Sequence, residues 1–223
     1  MILPFKPAHF APVILAISLA GCDQPSTISA EQADPQTAFW DRLSSQCGKA
    51  FHGTLVSDDA ADASLADAAM VMHVRECSDD RIAVPFHIGT TDETGAIEWN
   101  RSRTWLITKT DAGLRLKHDH RHADGAADTV TFYGGDTQDN GMDGAQNFPV
   151  DAKSIAMFQQ HNLDASITNI WTVEVDAADS ADPQFTYQLK RTVEGGAPED
   201  RLFRVEFDLS VEMPTPPAPW GHE

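Results

Sequence analysis

Positive charge is scarce in this chain. Against 34 acidic side chains in 223 residues stand only 16 lysines and arginines, a formal net charge of −18. No basic run exists to neutralise phosphates, which argues against nucleic acid as a partner. No long hydrophobic run is present either. The longest apolar stretch, Ala11 to Ala20, would span about 15 Å as a helix, half of what a bilayer core of about 30 Å requires. The sequence also lacks a Gly-x-Ser-x-Gly elbow, a P-loop and a dinucleotide fingerprint. Its acids and histidines are plentiful, yet no spacing singles out a catalytic triad. What is present is enough apolar material for a real core: 41% of residues, with five Trp and eleven Phe spread along most of the chain. That excludes disorder throughout and suits one large domain or two small ones.

The apolar stretch has the grammar of an export signal. Lys6 is the only charge before it, and small residues close it. It ends in Leu19-Ala20-Gly21-Cys22, which resembles the lipobox of bacterial lipoprotein precursors. The resemblance implies that residues 1–21 are a signal peptide and that Cys22 becomes the first mature residue, carrying acyl chains (palmitate among them) into a lipid bilayer. The expected address is the cell envelope, with the domain in the periplasm or otherwise outside the cytoplasm. Several chains on one cysteine anchor stably where one binds only marginally, at about 0.8 kcal/mol per buried methylene. Loss of the leader leaves 15 basic against 34 acidic side chains, a net −19. Such a body is repelled by anionic headgroups, so the lipid must do the holding. Residues 22–36 are polar and free of aromatics, and read as the lipidated cysteine with a flexible tether.

Two cysteines then remain, Cys47 and Cys77. In an oxidising compartment an even pair points to one disulfide. A Cys/His metal site is the rival, because His73 sits four residues before Cys77.

Thr37 to Gln46 reads as a short helix, with Phe39, Trp40 and Leu43 making an apolar stripe. Beyond it the period switches to two. Strands are expected at 51–56, 70–74, 82–86, 103–108, 114–122, 129–133, 169–175, 184–191 and 202–211, and Pro85 suits an edge or a bulge. The last strand is the clearest: Phe203, Val205, Phe207, Leu209 and Val211 share one face. Residues 57–69 are low in complexity and read as a solvated excursion. Asp151 to His161 can cap and form an inserted helix, with Ile155 and Phe158 pointing inward. The expected fold is mainly β: an antiparallel lipocalin-like barrel or a two-layer sandwich, spanning residues 37–212 as a single domain, with a short N-terminal helix and one short inserted helix. A barrel would remove the two exposed edges of an open sheet. Residues 213–223 form a Pro-rich tail, with Trp220 placed to dock back on the body.

Leu114-Arg115-Leu116-Lys117-His118-Asp119-His120-Arg121-His122 is the most informative segment. In one strand His118, His120 and His122 continue the phase of Leu114 and Leu116, while Arg115, Lys117, Asp119 and Arg121 face water. Neighbouring imidazoles on a strand face lie about 6.7 Å apart, close enough for two to meet one zinc ion; a third ligand would come from His73, His87 or an acid. A competing pattern is ionic. Arg103 shares its face with Trp105 and Ile107, and Arg191 with Phe185, Tyr187 and Leu189. Guanidiniums turned inward need internal acids or an anionic ligand, unless the two arginines stand at strand ends and are simply exposed. The acidic, glycine-rich stretch 134–144 has Asp136, Gln138 and Asn140 near calcium-loop offsets, but Asn147 stands where the loop needs Glu, so turn chemistry is expected there.

Phe39-Trp40, Cys47-Gly48-Lys49, Ser102-Arg103-Thr104-Trp105, the histidine run, Tyr133-Gly134-Gly135, Asn169-Ile170-Trp171 and the stretch from Arg201 to Leu209 together resemble a group of secreted bacterial proteins of unknown function. The resemblance covers most of residues 38–221 and implies an intact domain without implying an activity. The expected function is a binding module more than an enzyme, with no resident cofactor. Arg103, Trp105, His118, His120, Tyr187 and Arg191 would hold a small anionic or amphiphilic molecule, beside the apolar Phe185 and Leu116. The alternatives are a zinc hydrolase built on His118, His120 and His122, and a structural envelope protein with no small-molecule site.

Overall fold

Asp34 and Pro35 start the first helix. The Asp34 carboxylate accepts from the Thr37 N–H at 3.1 Å, and Pro35 loses nothing in a first turn whose N–H groups are unpaired anyway. In the computed structural model the described residues are 33–223 with Met1, Ile2 and Pro4. Apart from those three, the expected leader, Cys22 and the tether as far as Gln32 lie outside them. Helix α1 therefore runs Pro35–Ser44, two residues earlier than its apolar stripe suggests, and buries Phe39, Trp40 and Leu43. Among the described residues no helix is long and apolar enough to cross a membrane.

The strands are β1 Ala50–Leu55, β2 Ala69–His73, β3 Glu76–Cys77, β4 Arg81–Thr91, β5 Ile97–Thr110, β6 Gly113–His120, β7 Tyr133–Asp136, β8 Ala145–Pro149, β9 Ile170–Val175, β10 Gln184–Arg191 and β11 Arg201–Met213. Helix α2, Ala152–Gln160, lies between β8 and β9, capped by Asp151 and burying Phe158. All pairings are antiparallel. The order is β7-β6-β5-β4-β2-β1-β11-β10-β9-β8, with β3 paired to β4.

The two ends of that order meet. Gly135 bridges Val150, and the Asp151 N–H donates to the Gly134 carbonyl at 3.0 Å. One sheet therefore curls into a nearly closed barrel, and the sandwich alternative falls away. Glycine makes the seam possible. A Cβ on Gly135 would stand 1.8 Å from the Pro149 carbonyl oxygen, and Gly134, at φ +154°, has its missing Cβ 2.0 Å from the Leu116 oxygen. The expected strand at 129–133 instead begins at Tyr133 and runs into those glycines, and β8 adds a strand that the turn-rich composition of 134–147 concealed.

Helix α1 covers one end of the barrel, packing on β8 and β9. The Cys47–Cys77 disulfide ties its exit to β3, with the two Cα atoms 6.3 Å apart. Outside the barrel the Pro-rich tail lies against β4 and β5. The His87 ring donates from Nε2 to the Pro217 carbonyl at 2.9 Å, and the Trp220 N–H donates to the Arg101 carbonyl at 3.1 Å. This cover explains why β4 is buried on both faces from Ile82 to Gly89. Pro85 thus occupies an interior strand. No β2 or β3 residue pairs with it, because it faces the interruption between those strands, so its absent N–H costs no ladder bond there.

Candidate ligand-binding site

At the barrel end opposite α1, the strand ladder assembles a polar cluster from local pairings. Trp105 of β5 stands opposite His118 of β6, and His118 opposite Tyr133 of β7. One step along, Arg103 stands opposite His120. All of them line a cavity of about 200 Å³, which Tyr187 of β10 closes from across the barrel. Both tyrosines of the chain are here.

His118 is 2% exposed and sits on the interior face beyond Leu114 and Leu116. Its Nδ1 lies 3.1 Å from the Tyr133 carbonyl oxygen. A carbonyl only accepts, so Nδ1 carries the hydrogen and Nε2 is left as the acceptor for the Tyr187 hydroxyl at 2.7 Å. Burial, followed by the neighbouring His120, pushes the His118 pKa down to about 3. His120, paired through Nε2 with the Tyr133 hydroxyl at 3.1 Å, is pushed down to about 4 by burial and then by Arg103. Burial acts the opposite way on the phenols. Tyr133 is pushed up to about 12, and Tyr187 stands well above its ordinary value. The residue before Tyr133 bears backbone strain. Phe132 takes φ +56° and donates its N–H to the His118 carbonyl at 2.7 Å. A left-handed conformation costs a non-glycine residue roughly 1–2 kcal/mol, and here it turns the Tyr133 ring inward beside His118.

The apolar wall is a stack: Trp105 lies between Phe86, at 4.9 Å between ring centroids, and Tyr187, at 4.2 Å. Arg103 is the charged member. Its Nη1 donates to the Ser102 hydroxyl at 3.1 Å, and no carboxylate pairs with it among the described residues.

Other expected site residues fall elsewhere. Arg191, at the end of β10, does not line the cavity; its Nη2 meets Glu199 at 3.5 Å in the β10–β11 connection. Arg201 takes the second cationic position instead, held by Asp62 at 2.6 Å and Asp59 at 3.1 Å. Asp62 belongs to a 3-10 turn, Ala60–Leu65, that Asp59 caps and that lies at the cavity mouth, with Asp62 buried and Leu65 among the lining residues. The stretch 57–69 is mostly solvated, as expected, but Asp62 and Leu65 turn in from it onto the cavity. Its signals were slight: Asp59 as a cap, and Leu65 as the lone large side chain. Tyr133, Phe86 and Phe203 also line the cavity and were missed as site residues.

The zinc arrangement is not assembled. β6 ends at His120 because the chain turns back there, with the Asp128 N–H donating to the His120 carbonyl, and His122 is exposed. Both His118 nitrogens already have partners. His87 lies beneath the tail on the outer face, since Phe86 and Ile88 hold the inner one, and His73 likewise alternates with the inward Met72 and Val74. Among the described residues no three His, Cys, Asp or Glu side chains come together as metal ligands. On the other face of β6, Arg115 does face water, in a two-pronged pair with Asp136. Asp119 does not. It is 2% exposed, held between Arg121 Nε at 3.0 Å and His222 Nε2 at 2.8 Å from the tail. Lys117 is also largely covered, paired with Asp151. In the 134–144 stretch the side chains serve turns: Asp139 accepts from the Gly141 N–H, and the Gln146 amide donates to the Asn140 and Met142 carbonyls.

The sequence matches no known family model and no curated protein, so function has to be argued from the chemistry of the cavity.

Proposed function

We propose that this protein is a lipid-anchored envelope protein whose barrel binds a small anionic or amphiphilic molecule in the cavity beside Arg103. One observation carries the binding half: a guanidinium without a carboxylate partner among the described residues faces a half-open cavity walled by neutral imidazoles, phenols and stacked aromatics. A half-buried guanidinium with no carboxylate beside it keeps its donors free for the planar, two-pronged contact that a carboxylate or other oxyanion offers. Aromatic walls with a few convergent polar groups are the usual make-up of a small-molecule site. The anchoring half is supported by the export signal, the lipobox cysteine Cys22, and a disulfide of the kind that persists outside the cytoplasm.

Native mass spectrometry of freshly purified protein tests the first half. A co-purifying small molecule is expected, lost in Arg103→Gln. A wild-type protein that carries nothing, and whose Arg103→Gln variant is unchanged in stability, leaves a structural barrel and overturns the binding reading. For the second half, Cys22→Ser should abolish acylation and leave an unprocessed precursor. Processing of that variant at the same site, with no difference in lipid content from wild type, would refute the anchor.

A further inference from the structure

Resting on that binding reading, we infer that the ligand is a small monocarboxylate, its carboxylate held by the Arg103 guanidinium and the Tyr133 hydroxyl and its apolar body laid against Trp105. Charge, donor supply and size all lead there.

The cavity is lined by two cations and one acid: Arg103, Arg201 and Asp62. Arg201 is already neutralised by Asp62 and Asp59. His118 and His120 are uncharged at neutral pH, and both phenols keep their protons. Counting Asp59 at the rim, two cations face two acids, and Arg103 is the lining guanidinium that has no carboxylate of its own among the described residues. A monoanion pairs with that guanidinium, whereas a dianion brings a second negative charge that finds no further cation, with Asp62 at the cavity mouth.

Donor supply is fixed by the tautomers. The Tyr133 carbonyl pins the hydrogen of His118 on Nδ1, so Nε2 must accept, and the single hydroxyl hydrogen of Tyr187 is spent on it. Tyr187 has nothing to offer a ligand. No backbone carbonyl constrains the His120–Tyr133 pair in this way. With the hydrogen on Nε2, His120 donates to the phenol oxygen and frees the Tyr133 hydroxyl hydrogen. The planar fork of Arg103, less the N–H given to Ser102, and that one hydroxyl match two carboxylate oxygens. Lying on two sides of the site, they address two oxygens and leave the further oxygens of a tetrahedral oxyanion to the apolar wall.

Size limits the rest of the ligand. At about 200 Å³ the cavity lies below the roughly 300–1,000 Å³ typical of drug-sized ligands. Its apolar side is formed by Trp105, Phe86, Ile88, Leu65 and Phe203. The space suits a single ring or a short chain.

Titration calorimetry of the full chain with benzoate, benzamide and phenyl phosphate tests the assignment. Benzoate should bind one to one, with the neutral amide and the dianion each at least tenfold weaker. Arg103→Gln and Tyr133→Phe should each weaken benzoate about tenfold or more, and Arg103→Lys, which keeps the charge without the fork, should fall between. Benzamide or phenyl phosphate binding as tightly as benzoate, with the same dependence on Arg103, overturns the carboxylate assignment and leaves the small-molecule reading standing. Benzoate binding indifferent to Arg103 or to Tyr133 overturns it as well. Failure of all three probes, with no co-purifying molecule in native mass spectrometry, overturns both.

Discussion

Acid should destabilise this domain through His118. The free imidazole titrates near 6.5 and the folded one at about 3, because the ring is buried between the Tyr133 carbonyl and the Tyr187 hydroxyl. Below pH 6.5 the unfolded chain takes up a proton that the native state refuses. Stability is therefore whole above 6.5 and falls by about 1.4 kcal/mol per pH unit until the native ring protonates near pH 3. Across that window the loss reaches about 5 kcal/mol, as large as the entire stability of a modest domain. His118→Gln isolates the effect. The amide can donate to the Tyr133 carbonyl and accept from the Tyr187 hydroxyl, yet it does not titrate. Urea unfolding followed by tryptophan fluorescence from pH 7 to pH 4 should show the stability of wild type, relative to the variant, dropping by about 1.4 kcal/mol per unit below pH 6. His120 is present in both proteins and cancels. Parallel pH profiles would refute the argument, as would a native His118 resonance titrating near 6.5.

Three further outcomes are expected. Reduction of Cys47–Cys77 reopens a loop of 30 residues; it should lower stability by about 3–4 kcal/mol in the chain-entropy account, read as a shift of the urea midpoint with and without reductant. Gly135→Ala forces a methyl group onto the Pro149 carbonyl at the barrel seam; it should cost about 3 kcal/mol, the upper range for overpacking, and an unchanged melting temperature would show the seam to be slack. Deletion of residues 214–223 strips the cover from His87, whose pKa burial holds below its ordinary value; the ring should then titrate close to 6.5 by NMR, and a ring still depressed would show that the tail is not what buries it.

Local periodicity carried much of the fold. Alternation placed Val205 and Phe207 inward, as it did Leu114, Leu116 and His118, and all five are buried. It overreached at Val211, which is 62% exposed, because the pairing of β11 with β1 slips at a bulge between Phe51 and Gly53 and the strand runs on past the core. The site was half legible. Arg103, Trp105, His118, His120 and Tyr187 follow from strand phase alone. Arg201 and Asp62 do not, since their pairing spans 139 residues and depends on β11 lying beside β1. Asp119 shows the converse error. Strand phase turned it outward correctly, and Arg121 together with the returning tail, 103 residues later, covers it there.

Closure of the barrel and neutrality of the histidines are one property. Three adjacent strands set Trp105, His118 and Tyr133 in a row, which any open sheet of the same register would also do. An open sheet would leave the row wet, with imidazoles titrating near 6.5. Joining β7 to the residues after β8 at Gly134 and Gly135 curls the sheet so that Tyr187 reaches His118 from the far wall. The Tyr187 hydroxyl then satisfies the nitrogen that the Tyr133 carbonyl leaves open, and a fully paired neutral imidazole is tolerable in a dry interior where a charged one is not. Arg103 has no such internal partner. The same closure that silences the histidines leaves its charge exposed to whatever enters past Leu65, which is why the guanidinium, and not the histidine row, defines what the cavity can hold.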